Sequence, residues 1–254
     1  MNIVLVTQDN PFYLAENLDY LLHNLPGHSR VAGCVLLRAS PFGKKETPLG
    51  MMRRTLRTFG PGFFLRYALR FMLDRLVPAR SVRHVLRKHG IPVLNLGRNI
   101  NSRESRDLIA GYRPDLIVSL QANVIFKRRL IDLPSKGCLN VHTALLPKYR
   151  GLMPTFWALK NNEAVTGVSV FFMDEGIDSG PILVRKPVEI GERSLDGLIR
   201  HTKRVGMDAL LEAIDLIQRD EYELIPNDDS DMTYFSFPTR QDVEDFLSRG
   251  KRFF

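Results

Sequence analysis

Three side chains in two short segments have types and spacing suited to chemistry. Asn140 and His142 lie two positions apart in the segment NVHTALLPKYRG, at the end of an apolar run, and Asp178 follows in the Gly-rich segment MDEGIDSGP. An amide can donate a hydrogen bond to a developing oxyanion, a protonated imidazole can transfer a proton, and a carboxylate can orient the imidazolium. This set suits acyl transfer to an amine, because the amine is itself the nucleophile and no serine or cysteine is needed.

The elements predicted between these residues would bring them together. Residues two apart on an extended strand point to the same side, as Asn140 and His142 would. The chain that follows is long enough for a loop, a short helix and a strand, which returns Asp178 to the same sheet edge. Each residue alone also has a structural interpretation, as a strand-end Asn, a hydrogen-bonded core His or a turn Asp. The three together favour a catalytic site.

Apolar runs alternate with helical patterns along the first 120 residues, which is typical of α/β proteins. The sequence therefore predicts a Rossmann-like open, mostly parallel sheet with helices on both faces and a short C-terminal extension. Ligands bind at the carboxyl edge of such sheets, where Asn140 and His142 lie. The predicted strands span 2–7, 31–37, 92–96, 114–120, 137–142, 167–173 and 181–190. The predicted helices span 12–25, 50–58, 62–76, 80–89, 101–110, 154–162, 194–219 and 241–249, with Ser194 as an N-cap.

One catalytic domain, residues 1–219, is expected to contain these elements, with a basic helical insertion at about 41–90 and a C-terminal tail (220–254) packed on the core. A chain of 254 residues that is 44% hydrophobic is not wholly disordered. It has no GxGxxG or Walker A motif. No apolar run reaches the roughly 18 residues of a membrane span, and the N-terminus reads as a strand rather than a signal peptide. Together with two cysteines in apolar runs, Cys34 and Cys138, these features predict a cytoplasmic protein with reduced, buried thiols.

The positive charge is concentrated in one segment. The chain carries 36 basic and 28 acidic residues, a net charge of +8, but residues 41–90 hold twelve basic side chains against two acidic ones. Such an excess indicates an anionic partner, whether phosphate, nucleic acid or an anionic membrane surface, or else a solvated helix face. The sequence leaves open whether these helices form a dimer surface, a lid or a membrane-facing patch. Aromatic side chains interleave with the arginines at a spacing that also suits a simple core: Phe59, Phe63, Phe64, Tyr67 and Phe71.

The two site segments resemble the folate-dependent formyltransferase family. The pattern is Asn-x-His-x-x-x-Leu-Pro-x-x-x-Gly, then Thr-Gly-Val, then an Asp in a Gly-rich loop, and the likeness extends over about 115–190. The family includes glycinamide ribonucleotide transformylase, methionyl-tRNA formyltransferase and the sugar N-formyltransferases. The resemblance implies 10-formyltetrahydrofolate as the donor, and no metal. Asn140 and protonated His142 would stabilise the oxyanion, while Asp178 would hold the imidazolium and help pass the amine proton toward N10.

The resemblance also implies where donor and acceptor bind. The donor would lie against the loop at 121–126 and the loop at 174–178. The expected donor contacts are Gln121, Asn123, Val124, Ile125, Phe126, Asp174, Gly176 and Ile177. The expected acceptor contacts are Asn10, Thr143, Tyr149 and Arg150, with Arg150 as one candidate for a diphosphate.

The C-terminal tail resembles those of sugar N-formyltransferases in the segment TYFSFPT at 233–239. We therefore expect a primary amine on a nucleotide-linked amino sugar, used for surface polysaccharide. Hydroxyornithine and glycinamide ribonucleotide remain alternative acceptors, and so does methionyl-tRNA, although its transferases carry a further C-terminal domain and nucleic acid is not the expected partner. Two further alternatives are a formyltetrahydrofolate hydrolase, and a non-catalytic relative that binds an anionic partner through 41–90. A homodimer and a peripheral membrane contact through 41–90 also remain possible.

Overall fold

A seven-stranded sheet runs through the centre of the protein. The computed structural model describes residues 1–8, 12–37, 47–97 and 99–254. The strands are β1 (Asn2–Gln8), β2 (Arg30–Leu37), β3 (Val93–Leu94), β4 (Leu116–Leu120), β5 (Cys138–His142), β6 (Arg150–Gly151), β7 (Val165–Phe172), β8 (Ile182–Glu189) and β9 (Tyr234–Phe235). The helices are α1 (Leu14–His23), α2 (Pro48–Leu76), α3 (Val82–Lys88), α4 (Arg103–Ala110), α5 (Arg128–Ile131), α6 (Pro154–Lys160), α7 (Leu195–Arg219) and α8 (Arg240–Ser248).

The strand order in this sheet is β3-β2-β1-β4-β5-β7-β8. The first five strands are parallel to one another, and β7 and β8 are added as antiparallel neighbours. One face packs on α1, α3 and α7, and the other on α4 and α5. Central strands covered on both faces need apolar side chains throughout, which explains the runs in β1 and β4. The predicted Rossmann-like open sheet, mostly parallel with helices on both faces, is confirmed.

The basic segment divides into two parts with different packing. Helix α3 is a crossover helix between β2 and β3, and its Val82, Val85 and Leu86 are buried in the main core. Helix α2 instead lies over the carboxyl edge of the sheet. It is kinked at Gly60, whose φ of 83° is not helical, and Pro61 follows. The predicted helix break at this pair is therefore confirmed.

The C-terminal tail forms part of a second core. Phe246 of α8 and Phe253 stack at 5.0 Å, and Phe246 also stacks on Phe156 of α6 at 5.0 Å. Phe253 contacts the ring of Phe59 on α2 at 5.8 Å. Helix α8 begins with a capping box between Thr239 and Asp242. The tail thus joins α2 and α6 to the sheet.

The prediction that the tail is irregular apart from α8 was incomplete. Strand β9 pairs with β6 as a parallel two-stranded sheet, and Ile225 forms a bridge to Ile182. The sequence also gave no sign of the short helix α5. Strands of two residues show no periodicity, and only the tertiary contact decides that they pair.

Gly151 allows β9 to approach β6 closely. Its φ is +95°, and a Cβ there would lie 2.3 Å from the carbonyl oxygen of Phe235. We expect Gly151→Ala to lower the free energy of unfolding by about 3 kcal/mol, through backbone strain and this clash. Urea denaturation measures the difference. Gly27→Ala is the matched control, because a Cβ at Gly27 meets no atom within 4 Å. Equal stability of the two variants would show that the tail does not pack this closely.

Candidate active site

The end of β5 presents Asn140 and His142 to a cavity of about 470 Å³ at the carboxyl edge of the sheet. The His142 ring is buried and fixed at both nitrogens. Its Nε2 donates to the carbonyl oxygen of Tyr149 at 2.8 Å, and its Nδ1 lies 3.5 Å from Oδ2 of Asp178. The Asn140 amide makes no hydrogen bond with a described residue, so it is available to a ligand. A proton on His142 that is exchanged with a substrate must therefore be carried at Nδ1.

Asp178 reaches His142 from the loop between β7 and β8. Its backbone is in the left-handed region, with φ 51°, and its Oδ2 accepts a hydrogen bond from the Gly151 amide at 2.9 Å. Its side chain is only 12% exposed. A buried carboxylate requires hydrogen bonds or an opposite charge, and Gly151 and His142 supply them. The predicted convergence of Asn140, His142 and Asp178 at one edge is what the structure contains.

The loop after His142 is fixed by the neighbouring strands. Ser169 of β7 is fully buried, and its hydroxyl donates to the carbonyl of Ala144 at 2.8 Å and accepts from the Leu146 amide at 3.0 Å. Arg185 of β8 donates to the carbonyl of Leu146 at 3.1 Å. These bonds set the path of the chain from His142 toward Tyr149, whose carbonyl holds the imidazole.

Two loops form one wall of the cavity. All eight residues expected to contact the donor line it, and Thr143 lines it beside them. The Asp174 carboxylate, however, accepts from the Ser179 hydroxyl at 2.6 Å and from the Gly176 amide at 3.0 Å. It therefore braces its own loop. The lining residues of this wall are Gln121, Asn123, Val124, Ile125, Phe126, Asp174, Gly176 and Ile177.

The opposite wall comes from α2 and α7. Phe59, Phe63 and Tyr67 line it from α2, and their rings are stacked successively at 4.7 and 5.6 Å. Behind them, Tyr13 and Arg70 both donate to Oδ1 of Asp196, in the first turn of α7. This cluster ties α2 to α7.

The carboxylate of Asp196 is charged in this cluster. Burial acts to raise its pKa, but hydrogen bonds from Tyr13, Arg200 and Arg70 lower the pKa below its usual value. The same carboxylate, together with burial, raises the pKa of the Tyr13 hydroxyl above its usual value. Tyr13 therefore acts as a neutral donor at the cavity wall.

Residues 79–214, more than half of the chain, match the family model described as Formyl transferase. The chain belongs to the formyl transferase family. The methionyl-tRNA formyltransferase of Kosmotoga olearia is 36% identical over 170 residues, which are 66% of this chain and 54% of the relative. That of Citrifermentans bemidjiense is 36% identical over 162 residues, 63% of this chain and 51% of the relative. The chain thus spans about half the length of the curated relatives it matches.

Solved structures share the fold of this chain at lower identity. An N-formyltransferase from Helicobacter canadensis, in complex with folinic acid and dTDP-3-aminofucose, has a TM-score of 0.59 at 19% identity, over 95% of this chain and 72% of that one. Phosphoribosylglycinamide formyltransferase from Bacillus halodurans has a TM-score of 0.60 at 21% identity, over 86% of this chain and 97% of that one.

Within the described ranges, no group of His, Cys, Asp and Glu side chains could hold a metal ion.

Two of the expected acceptor contacts do not line the cavity. The Arg150 guanidinium is 5% exposed and donates to Asn227 and Asp229 of the tail, at 2.7 to 2.9 Å. The Tyr149 hydroxyl donates to Glu163 at 2.6 Å. Both side chains therefore hold the tail and α6, and the Arg150 guanidinium is engaged away from the cavity that it was expected to serve as a diphosphate contact. The expected contact Asn10 lies outside the described residues.

Lys203 is a cation that does line the cavity. It lies on α7 two turns after Asp196, lines the cavity, and has no hydrogen bond or ion pair with a described residue. Burial lowers its pKa to about 8, so the amine is still mainly protonated at pH 7. Nothing in the helical pattern of 194–219 marks Lys203 as a residue of the site. Only the packing of α7 on the sheet edge brings it there.

Asn227 connects the tail to the catalytic loop. Its Nδ2 donates to the carbonyls of Asp178 at 2.9 Å and Gly180 at 2.8 Å, while its Oδ1 accepts from Arg150 at 2.9 Å. It is thus a positioning residue for Asp178. No pattern in the sequence singled it out, because its partners are 47 and 49 residues away.

We expect Asn227→Ala to lower the free energy of unfolding by about 2 kcal/mol, because it removes the side-chain donor to two carbonyls and one of the acceptors of Arg150. Hydrogen exchange should become faster at amides 174–180, where the loop loses its support. Asn24→Ala is the matched control, since it removes one hydrogen bond from an exposed Asn, to the Tyr20 carbonyl. Unchanged exchange at 174–180 in Asn227→Ala would contradict the positioning role.

Proposed function

We propose that this protein transfers the formyl group of 10-formyltetrahydrofolate to a primary amine on a small, phosphate-bearing acceptor. The observation that carries the proposal is the arrangement of Asn140, His142 and Asp178, which are brought together at a cavity of about 470 Å³. In the overall transfer a bond forms between the amine nitrogen and the formyl carbon. The bond from that carbon to N10 breaks, and one proton moves from the amine to N10.

Each of the three residues has a separate role in that transfer. The Asn140 amide would donate to the formyl oxygen as that oxygen gains negative charge. His142, protonated at Nδ1, would stabilise the same charge, while Asp178 at 3.5 Å stabilises the imidazolium. Because Nε2 is engaged by the Tyr149 carbonyl at 2.8 Å, the ring cannot rotate away from this task.

The wall formed by 121–126 and 174–177 fits a folate donor. Val124, Ile125 and Phe126 supply apolar contact for a flat heteroaromatic ring. Gly176 permits a close approach of the chain. The donor carries its formyl group on a nitrogen, and the bond between that nitrogen and the formyl carbon is readily cleaved. The residues of this wall bind and orient it and exclude water from the far side.

The wall formed by α2 and α7 supports an anionic acceptor. Lys203 is a cation without a protein partner, which suits a phosphate oxygen, and the rings of Phe63 and Tyr67 suit stacking on a base or sugar. A nucleotide-linked amino sugar combines these features. The Helicobacter canadensis structure, which contains a dTDP-linked amino sugar, supports this choice through its shared fold.

Methionyl-tRNA is the second candidate acceptor. Curated relatives that are 36% identical over 162 to 170 residues are methionyl-tRNA formyltransferases, and this observation favours it independently.

The deciding experiment measures tetrahydrofolate release from 10-formyltetrahydrofolate with a panel of acceptors. The panel holds nucleotide-linked amino sugars, glycinamide ribonucleotide, hydroxyornithine, methionyl-tRNA and a blank. Release with a nucleotide-linked amine alone supports the proposal. Release with methionyl-tRNA alone supports the second candidate, and release in the blank indicates a hydrolase.

His142→Ala should lower kcat/KM by at least about a thousandfold, since it removes the donor to the oxyanion. Asp178→Asn should lower it by about a hundredfold, since an amide cannot stabilise the imidazolium. Steady-state tetrahydrofolate release measures both. His201→Ala, at an exposed position of α7 outside the cavity, should retain full activity. Normal turnover by folded His142→Ala would refute the mechanism.

Lys203→Met should raise the KM for a phosphate-bearing acceptor by about ten- to a hundredfold, the loss expected for one charge-assisted contact, with a smaller effect on kcat. In the wild type, the KM for the acceptor should rise above pH 8 as Lys203 loses its proton. The variant should lack that pH dependence. It should also unfold at a higher temperature, because the wild-type amine is charged in a desolvated place. Lys88→Met, exposed on α3, is the control. A KM that Lys203→Met leaves unchanged would exclude Lys203 from acceptor binding.

A further inference from the structure

Helix α2 has two faces that carry large side chains, and only one of them is covered. The inner face holds Phe59, Phe63 and Tyr67, which line the cavity. The other face, here called the outer face of α2, exposes leucine and methionine: Leu65 is 71% exposed and Leu76 77%. The outer face consists of Leu49, Met52, Leu56, Leu65, Leu69, Met72, Leu73 and Leu76.

The apolar residues after the kink form one stripe. Leu65, Leu69, Met72 and Leu76 follow each other at intervals of four, three and four residues, which places them on one side of a helix. Single exposed leucines are ordinary, but a continuous stripe of this length marks an interaction surface. Because the inner side already packs on the cavity, the stripe is not part of the core.

Helix α2 and the segment that follows it carry a large excess of positive charge. The one acidic residue in 47–97 is Asp74, which is 3% exposed and paired with Arg80 and Arg70. The exposed arginines of α2 are Arg53, Arg57, Arg66 and Arg75, and no ion pair joins them to a described acidic residue.

We propose that the outer face of α2 docks on an anionic phospholipid bilayer, with the helix in the plane of the interface. Leucine and methionine side chains gain free energy by entering the acyl boundary, and arginines beside them bind lipid phosphates. An interfacial helix combines such a stripe with low net hydrophobicity. Correspondingly, no helix in the described ranges is long and apolar enough to cross a membrane.

Charge and side-chain type favour lipid over the two other occupants. A second copy of the chain would bring one arginine-rich surface against another, and like charges across an interface are unfavourable. A nucleic acid would bind the arginines but would leave the aliphatic stripe without a partner, because proteins bind unpaired bases through aromatic rings rather than aliphatic side chains. An anionic bilayer satisfies both parts of the surface.

Vesicle flotation tests the proposal without donor or acceptor, so its result is independent of formyl transfer. The vesicles contain equal parts of phosphatidylglycerol and phosphatidylcholine, or phosphatidylcholine alone. The full chain should float with the anionic vesicles, and binding should weaken at high salt. The double variant Leu65→Gln, Leu76→Gln should lower the partition coefficient by at least about tenfold.

The matched control is Leu108→Gln, Leu247→Gln, at positions 41% and 48% exposed on α4 and α8. It should bind vesicles as the wild type does. Absence of wild-type binding to anionic vesicles would overturn the proposal, as would equal binding by both double variants. Sedimentation without lipid supplies a further check. A dimer that Leu65→Gln, Leu76→Gln dissociates would assign the outer face to a second copy, and RNA binding without vesicle binding would assign it to nucleic acid.

Discussion

The buried pair of Asp178 and His142 imposes a requirement that reaches well beyond the active site. A carboxylate with little solvent contact must be hydrogen-bonded, and the Gly151 amide meets this need at 2.9 Å. That bond fixes β6, which in turn fixes the carbonyl of Tyr149 against the imidazole. Asn227 then holds the backbone of Asp178, and Arg150 holds Asn227. The C-terminal tail is therefore part of the catalytic geometry, although none of its polar side chains named here touches His142.

The parts of the site that a local pattern encodes could be predicted from the sequence. Asn140 and His142 share a strand, so their spacing alone puts them on one side of the sheet. Asp178 required one further step, the return of the chain through α6 and β7, and that path follows from element lengths. The two loops expected to contact the donor were inferred from the family resemblance, and both line the cavity. Buried parallel strands such as β4 are recognisable in the sequence as apolar runs.

The remaining residues could not be found because their roles depend on partners that are distant in sequence. Arg150 lies beside the catalytic motif, where an arginine suggests a phosphate ligand, yet its buried guanidinium binds the tail some 77 residues later. Lys203 lies within a regular helical pattern, and that pattern does not show which charged residues of α7 face the cavity. Its burial, and the lowered pKa of about 8 that follows, arise only when α2 and α7 meet over the sheet edge. A desolvated lysine without a partner lowers stability, and such a residue is more readily understood as a ligand contact than as packing.

Helix α2 takes part in both the proposed acceptor binding and the proposed membrane docking. The sequence could not distinguish a lid, a dimer surface and a membrane patch because both sides of the helix are apolar, which removes the periodicity that would identify a single buried face. In the structure the inner rings belong to the cavity, and Arg70 ties the same helix to Asp196 on α7. The outer leucines are then the part that needs another partner. A helix held on a bilayer by its outer face would have its inner face fixed over the cavity, because the part of α2 after the kink at Gly60 carries both the leucine stripe and the rings of Phe63 and Tyr67. Docking and acceptor binding would then share a single wall, and any displacement of α2 at the membrane would reach the acceptor side before it reached Asn140 and His142 on β5.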